Sequence, residues 1–190
     1  MDLAQQISVN AILAFGLTLV ILIGGIDLSV GAVVAFAGVV CVSVLDAAGP
    51  LAGLAAGLGA AVLIGLANGV CAARTSMPPF IITLATMLIA SGMALGFNGM
   101  IHTSQLYSAE PAAGQGFELN AIAAVVVGGT SFSGGIGALP GTLLGSVIIG
   151  ILDKGLNQAG VHFSLQYIVK GLVILIAVYT DVRRRKGVIQ

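Results

Sequence analysis

The chain has 190 residues, of which 58% are hydrophobic and 7% are charged, with equal numbers of acidic and basic residues. Soluble domains carry roughly 25% charged residues, so this composition excludes an ordinary soluble domain and indicates a chain embedded in a lipid bilayer. The balanced charge also argues against nucleic acid as a partner, because there is no basic excess to neutralise phosphates.

Two apolar segments near the N-terminus flank a short polar interruption. The first runs from Ala11 to Ile26, with Ser8 and Asn10 as candidate helix caps, and the second runs from Ala32 to Leu45. The start of the chain lacks the basic region and cleavage site of a signal peptide, so we expect the first segment to be retained. The pattern predicts a first broken helix pair over residues 7–45.

The longest apolar run predicts a membrane span over residues 51–73. Gly53 and Gly57 lie four residues apart, as do Gly65 and Gly69, and this spacing lets membrane helices approach closely. We therefore expect this helix to lie inside a bundle.

Proline and basic residues delimit the following elements. Met77-Pro78-Pro79 ends the run after Arg74, because a proline disfavours helix at the residue before it. Arg74 and the terminal cluster Arg183-Arg184-Arg185-Lys186 come out on the same side when the crossings are counted, and that side is expected to be cytoplasmic. The remaining predicted parts are a span over 80–100, an extracytoplasmic loop over 101–120, a second broken helix pair over 121–152, a polar connection over 153–163, a last span over 167–181 and a cytoplasmic basic tail over 182–190.

The stretch from Ala121 to Leu152 carries two apolar segments separated by glycines and serines, without any charge. Paired glycines lower helix propensity by roughly 1 kcal/mol each, yet the apolar pattern resumes after Pro140. Broken membrane helices of this kind line cavities in transporters. The chain is therefore predicted to be an all-α, polytopic transmembrane helix bundle with two broken helices and a transport pathway.

An eight-residue pattern, Gly-Gly-x-x-apolar-Ser-x-Gly, occurs at both interruptions. We call residues 24–31 the first glycine motif and residues 128–135 the second. Matched helix breaks in duplicated halves are a known transporter plan, although glycine and serine are frequent enough here for the match to arise by chance. The helix-break glycines of the two motifs are Gly24, Gly25, Gly31, Gly128, Gly129, Gly134 and Gly135.

Four blocks of the sequence, in order, resemble the ribose-type ABC sugar permeases. They are GGIDLSVGAVVAFAGVV, GLANG with MPPFIITLATM, SAEPAAGQGFELNAIAAVVVGGTSFSGGIGALPGTLLGSVIIGIL and QYIVKGLVILIAVYTDVRRR. The resemblance implies the membrane subunit of a bacterial ATP-driven monosaccharide importer in the inner membrane. The implied partners are a cytoplasmic ABC ATPase, a second permease copy and a periplasmic or lipid-anchored sugar-binding protein.

The chain departs from this family in two places. The family's first membrane helix has no counterpart before Met1, and further helices with an ATPase-coupling segment are missing at a junction that we place within Ser91 to Met100. The chain is thus expected to be a shortened or internally deleted relative. The alternative is a non-transporting remnant, and a small self-contained channel or facilitator is a third hypothesis.

Polar residues near the two motifs are the candidate substrate pathway, since a neutral sugar requires donors and acceptors without a ring of like charges. Asp27 could equally cap the following helix, Ser131 and Ser133 could cap the segment from Gly135 onwards, and Asn68 could bond across helices. The candidates are Asp27, Ser29, Asn68, Thr130, Ser131 and Ser133.

No catalytic or cofactor-binding motif occurs, so we expect a transport subunit and not an enzyme, with ATP hydrolysis on a partner. The sequence lacks a phosphate-binding Gly-x-x-x-x-Gly-Lys-Ser/Thr motif. His102 and His162 have no metal-ligand spacing, so they are expected to be interfacial loop residues, and Cys41 and Cys71 are expected to act as small apolar residues. The sequence does not identify the sugar.

Overall fold

The structure, a computed structural model, describes residues 3–102, 114 and 116–186, and the side chains of these residues apart from 46, 98–102 and 184–186. Within these ranges every regular element is an α-helix, which confirms the predicted fold class. The helices are α1 (Leu3–Leu22), α2 (Val30–Ala48), α3 (Pro50–Arg74), α4 (Pro79–His102), α5 (Phe117–Val127), α6 (Leu139–Gln158) and α7 (Phe163–Lys186).

Five of these helices are long and apolar enough to cross a membrane. They are Leu3–Leu22, Pro50–Arg74, Pro79–Phe97, Leu139–Gln158 and Phe163–Arg183. The remaining two, α2 and α5, provide shorter apolar stretches. A span of the hydrocarbon core requires about 20 residues, so α5, with 11 residues, crosses only part of it.

The chain divides into two compact units. Unit 1 comprises Met1–Ile26 and Leu119–Gln190, and unit 2 comprises Asp27–Glu118. The first boundary falls between α1 and α2, and the second falls in the first turn of α5. Each unit is described by itself below.

In unit 2, α2 packs against α3 and α4. The contact with α3 is close because Gly53 and Gly57 are buried: a Cβ at either glycine would lie 2.7 Å from a carbonyl oxygen of α2. This confirms that small residues four apart permit close packing. The rest of α3 packs less closely: Gly65 and Gly69 have no atom near a built Cβ, and Gly53 and Gly57 are the buried residues of α3. The expectation that α3 lies inside a bundle is therefore wrong for the described residues.

In unit 1, α6 packs against α1 through small and hydroxyl side chains. The hydroxyls of Thr18 and Thr142 are fully buried and hydrogen bonded to each other over 2.8 Å. A Cβ at Gly145 would collide with the carbonyl of Ala124 in α5, so α6 also lies close to α5. Backbones approach most closely where these side chains are smallest.

The first helix begins earlier than the sequence predicted, at Leu3. The proposed caps are wrong: the Ser8 hydroxyl donates to the carbonyl of Ala4 within the helix, and Asn10 is buried with 2% exposure. The preceding glutamines are good helix formers, so the helix extends through this polar turn. The added residues bring α1 to 20 residues, a full membrane span.

Both ends of the predicted polar connection over 153–163 also differ. Asp153 lies inside α6, which continues to Gln158, and α7 begins at Phe163. The predicted connection is therefore wrong up to residue 158, because buried partners described below compensate the charge of Asp153. Likewise, α4 continues to residue 102, so the backbone of His102 is helical and not in a loop, whereas His162 is exposed between helices as expected. Of the predicted loop, residues 103–113 and 115 lie outside the described residues, as does the tail over 187–190.

Candidate functional site

Two breaks interrupt the helices where the glycine motifs lie. The first break comprises residues 23–29, between α1 and α2, and the second comprises residues 128–138, between α5 and α6. Each preceding helix ends on a glycine with positive φ, Gly24 at +81° and Gly129 at +88°. At both, the glycine amide donates to the carbonyl three residues earlier and the next amide donates to the carbonyl five residues earlier, over 2.9 to 3.1 Å. This is the Schellman helix ending, which favours glycine at the left-handed position.

The alignment of the two breaks by their helix endings is shifted by one residue from their alignment by sequence. The sequence pattern aligns Gly24 with Gly128, but the left-handed residue of the second break is Gly129. Gly128 has another role, because a Cβ there would collide with the backbone of Gly141 in α6. The two breaks therefore share a backbone motif, and their glycines are not equivalent one by one.

Side chains satisfy the free backbone amides of the first break. One carboxylate oxygen of Asp27 accepts from the Ser29 amide over 2.8 Å and from the Ser29 hydroxyl over 2.6 Å. The Leu28 amide donates to the Thr83 hydroxyl of α4 over 3.2 Å. Helix α2 begins at Val30, two residues before the predicted apolar segment, and these bonds hold residues 28 and 29 outside the helix. The N-cap residue of α2 is Ser29, without a side-chain cap bond, so the predicted cap at Asp27 is wrong and Asp27 instead stabilises the turn before the helix.

Asn68 of α3 links the first break to α4. Its side-chain amide donates to the Ser29 hydroxyl over 3.1 Å, and the Thr86 hydroxyl donates to its carbonyl over 2.6 Å. The hydrogen bonds therefore run in one direction, from Thr86 through Asn68 and Ser29 to the carboxylate of Asp27. This confirms that Asn68 bonds across helices. A cavity of about 190 Å³ in unit 2 is lined by Asn68, Thr86 and apolar residues of α3 and α4.

Backbone groups satisfy one another in the second break. The Ser131 amide donates to the Ile136 carbonyl over 2.8 Å, and the Gly134 amide donates to the Ser131 carbonyl over 3.1 Å. The Gly135 amide donates to the Leu22 carbonyl at the end of α1 over 2.9 Å. Gly134 and Gly135 have positive φ, as this compact loop requires. The side chains of the second break are consequently available for other contacts.

The three hydroxyl candidates of the second break have different surroundings. The Ser131 hydroxyl is buried and donates to the carboxylate of Asp181 in α7 over 2.7 Å. The Thr130 hydroxyl is buried without a partner among the described residues, and Ser133 is exposed. The proposed capping by Ser131 and Ser133 is wrong, because α6 begins only at Leu139, after Ala138, and has no side-chain cap.

The other motif glycines have separate roles. Gly31 is buried at the start of α2, where a Cβ would collide with Gly114 and Glu118 of the same unit. Gly25 supplies the second amide of the Schellman ending in the first break. Each glycine that the sequence singled out therefore lies at a close backbone contact or in a turn.

Three polar residues that the sequence did not single out form a buried cluster in unit 1. The ammonium of Lys170 in α7 lies 2.9 Å from the carboxylate of Asp153 in α6, whose other oxygen accepts from the Asn120 side chain of α5 over 3.1 Å. Asp153 is 3% exposed. The sequence did contain a signal for this cluster, namely an acid and a lysine next to or inside apolar segments. Charged residues within membranes are usually paired, so these two could have been predicted to form an ion pair.

The two sets of candidates lie in different units. Asp27, Ser29 and Asn68 belong to unit 2, whereas Thr130, Ser131 and Ser133 belong to unit 1. A single pathway that includes both sets stays a prediction. Among the described side chains, no three His, Cys, Asp or Glu residues are grouped so as to hold a metal ion.

Comparison with known proteins shows similarity along nearly the whole chain. A family model described as branched-chain amino acid transport system / permease component matches residues 1–102 and 90–178. The ribose import permease protein RbsC of Bacillus subtilis (strain 168) is 33% identical over 269 residues, covering 95% of this chain and 84% of the relative. RbsC of Escherichia coli (strain K12) is also 33% identical, covering 97% of this chain and 85% of the relative. The xylose transport system permease protein XylH of Haemophilus influenzae is 42% identical over 50% of this chain and 26% of the relative. No solved structure matches.

The alignment with the Bacillus relative also shows an internal difference in length. Its 269 residues exceed the 190 residues of this chain by 79, so at least that many residues of the aligned region have no counterpart here. The two segments matched by the family model overlap at residues 90–102. This overlap includes the range in which the sequence placed a missing portion.

Proposed function

Because this chain belongs to the permease family of ABC importers, as a ribose-type sugar permease, we propose that it forms the membrane pathway for a monosaccharide such as ribose. The observation that carries the proposal is the similarity to two ribose import permeases over at least 95% of the chain. Five apolar helices of membrane-spanning length accord with a multi-pass protein of the inner membrane.

The polar groups at the breaks support a neutral, hydrogen-bonding substrate. Four of the six candidate residues are Ser or Thr, one is Asn, and Asp27 is the one acid among them. A sugar is bound by many donors and acceptors on an apolar support, whereas an ion pathway is built from charged rings or rows of carbonyls. We propose that the second break contacts the substrate and that the first break chiefly holds the backbone of α2 in place.

Transport in this proposal proceeds by alternating access. A cytoplasmic ATPase supplies the energy, a second permease copy completes the pathway, and an extracytoplasmic sugar-binding protein delivers the sugar. The C-terminal basic residues lie on the cytoplasmic side, since cations near the ends of membrane helices favour that side. Helix breaks in unit 1 permit movement there without unfolding a continuous helix.

Uptake of labelled ribose and xylose tests this proposal. The chain is reconstituted in vesicles with the matching ATPase and binding protein, and ATP-dependent uptake is compared with vesicles that lack the ATPase. We expect uptake that requires all components. Normal membrane insertion without any uptake of either sugar would contradict the transport function, and equal uptake without ATP would favour a facilitator.

A second candidate function, a non-transporting remnant that assembles with a full-length permease, is favoured by the 79 or more residues without counterpart. The resemblance places the ATPase-coupling segment within the missing portion. Co-purification with the ATPase separates the two candidates, because a transporting subunit must bind it. Sequencing the DNA that flanks this coding sequence shows whether the missing helices are encoded there.

A further inference from the structure

We propose that Asp181 selects the substrate at the second break: together with Thr130 it forms a subsite that binds neutral polyhydroxylated solutes and rejects anionic ones. This inference rests on the proposed function, since it names the solute class accepted by the same break.

A cavity in unit 1 is the first observation. It has a volume of about 380 Å³ and lies between the end of α5 with its break and the C-terminal half of α7. Sites for small molecules have volumes of roughly 300–1,000 Å³ and combine apolar walls with a few placed polar groups. Here the walls include Val126, Val173 and Ile176, and the polar groups belong to Thr130, Thr180 and Asp181.

The polar end of the cavity has unused hydrogen-bonding capacity. Thr130 is 1% exposed, and its buried hydroxyl has no hydrogen-bond partner among the described residues. A buried hydroxyl without a hydrogen-bond partner is unfavourable, so a partner that completes its hydrogen bonds is favoured. A solute hydroxyl in the cavity, which Thr130 lines, can supply that partner.

Asp181 is already oriented toward the break. One of its carboxylate oxygens accepts from the Ser131 hydroxyl over 2.7 Å, which fixes the carboxylate beside the cavity. The other oxygen has no hydrogen-bond partner among the described residues and can accept from a solute. Arg183, two residues further along α7, lies over the ring of Tyr179 at 5.2 Å and is engaged there.

The charge of this carboxylate gives the subsite its selectivity. A sugar hydroxyl donates to a carboxylate in a strong, charge-assisted bond, and the apolar face of the ring can lie on the valine and isoleucine walls. A sugar phosphate or a sugar acid brings a second negative charge to the same place. Two like charges brought close together in a site partly shielded from water repel each other, so anionic sugars are excluded.

Thiol labelling of the purified chain in lipid nanodiscs tests the subsite without any transport. Cys41 and Cys71 are first replaced by alanine, and Thr180→Cys then introduces a thiol at the cavity. We expect millimolar ribose or xylose to slow the labelling of this thiol at least about threefold and ribose 5-phosphate to leave it unchanged. Leu172→Cys is the matched control, because this residue is exposed on α7 but does not line the cavity.

Two variants of the acid site complete the test. Asp181→Asn keeps the shape and removes the charge, so ribose 5-phosphate is expected to protect the thiol nearly as well as ribose. Ser131→Ala releases the carboxylate and is expected to weaken protection by ribose about tenfold. Thermal unfolding of each variant confirms that it folds.

Three outcomes overturn the inference: no protection by either neutral sugar, equal protection by ribose and its phosphate in the parent protein, or the same protection pattern after Asp181→Asn. The outcome for transport is separate. Protection without ATP-dependent uptake supports the subsite and contradicts the proposed function, whereas uptake without protection contradicts the subsite alone.

Discussion

The two helix breaks begin alike and are then stabilised differently. Both end the preceding helix with a glycine of positive φ and the same pair of backbone hydrogen bonds. In the first break, Asp27 and Thr83 satisfy the free amides through their side chains, whereas in the second break the amides bond to carbonyls of the loop and of α1. Side chains of the first break are thus committed to the fold, whereas in the second break the Thr130 hydroxyl has no partner among the described residues.

The largest effect is expected outside both breaks, at the cluster that fixes the other end of α5. Lys170→Met leaves the Asp153 carboxylate buried without its charge partner and is expected to destabilise the protein by about 3–5 kcal/mol. Thermal unfolding in detergent measures the loss. Asp153→Asn combined with Lys170→Met removes both charges and should recover at least half of it. A single variant as stable as the parent would show that the ion pair does not stabilise the packing of α5, α6 and α7.

At the first break, Asp27→Ala removes the acceptor for the Ser29 amide and hydroxyl. Hydrogen bonds to a charged group are worth about 1.5–3 kcal/mol, so we expect a loss of stability in that range. Ser131→Ala at the second break is the comparison and is expected to cost less, because it removes one hydrogen bond to a carboxylate whereas Asp27→Ala removes two. Equal losses would contradict the difference between the two breaks.

The shared helix ending predicts equal effects of one substitution at two places. Gly24→Ala and Gly129→Ala each place a Cβ in the left-handed conformation with no atom within 4 Å of it, so only the backbone term of about 1–2 kcal/mol applies. Gly128→Ala is the contrasting variant, since its Cβ collides with Gly141. We expect Gly128→Ala to be the most destabilising of the three in chemical unfolding. A smaller loss than at Gly129 would show that the close backbone contact is absent.

The smallest effect on stability is expected from Thr130→Val, which removes the unpaired hydroxyl and keeps the shape of the side chain. Burying a hydroxyl without a partner is unfavourable, so this variant should be as stable as the parent or more stable by about 1 kcal/mol. Its uptake of neutral sugar is expected to fall. Thr142→Val is the control, because that hydroxyl is buried and hydrogen bonded to Thr18, and its loss should reduce stability.

The sequence predicted the features that depend on local chemistry. Apolar runs and the prolines after Arg74 located the membrane helices, and paired glycines located both breaks. Helix ends were less predictable. Asp153 and Asn10 are polar, which indicated helix ends or connections, but contacts with other helices bury both residues inside helices. Asp181 could not be assigned from its neighbours along the chain, since its contact with Ser131 joins residues 50 positions apart.

The most direct test of the account measures how much a neutral sugar stabilises two variants, Thr130→Val and Asn68→Leu. Each replaces a polar side chain with an apolar one of similar shape. A ligand that binds only the folded state raises the unfolding temperature, and the increase grows with the ligand concentration relative to its dissociation constant. The account predicts that ribose raises this temperature in the parent protein and in Asn68→Leu, although the latter unfolds at a lower temperature, and has no effect in Thr130→Val. Retention of the ribose effect in Thr130→Val, with its loss in Asn68→Leu, would contradict the assignment of the solute to the second break.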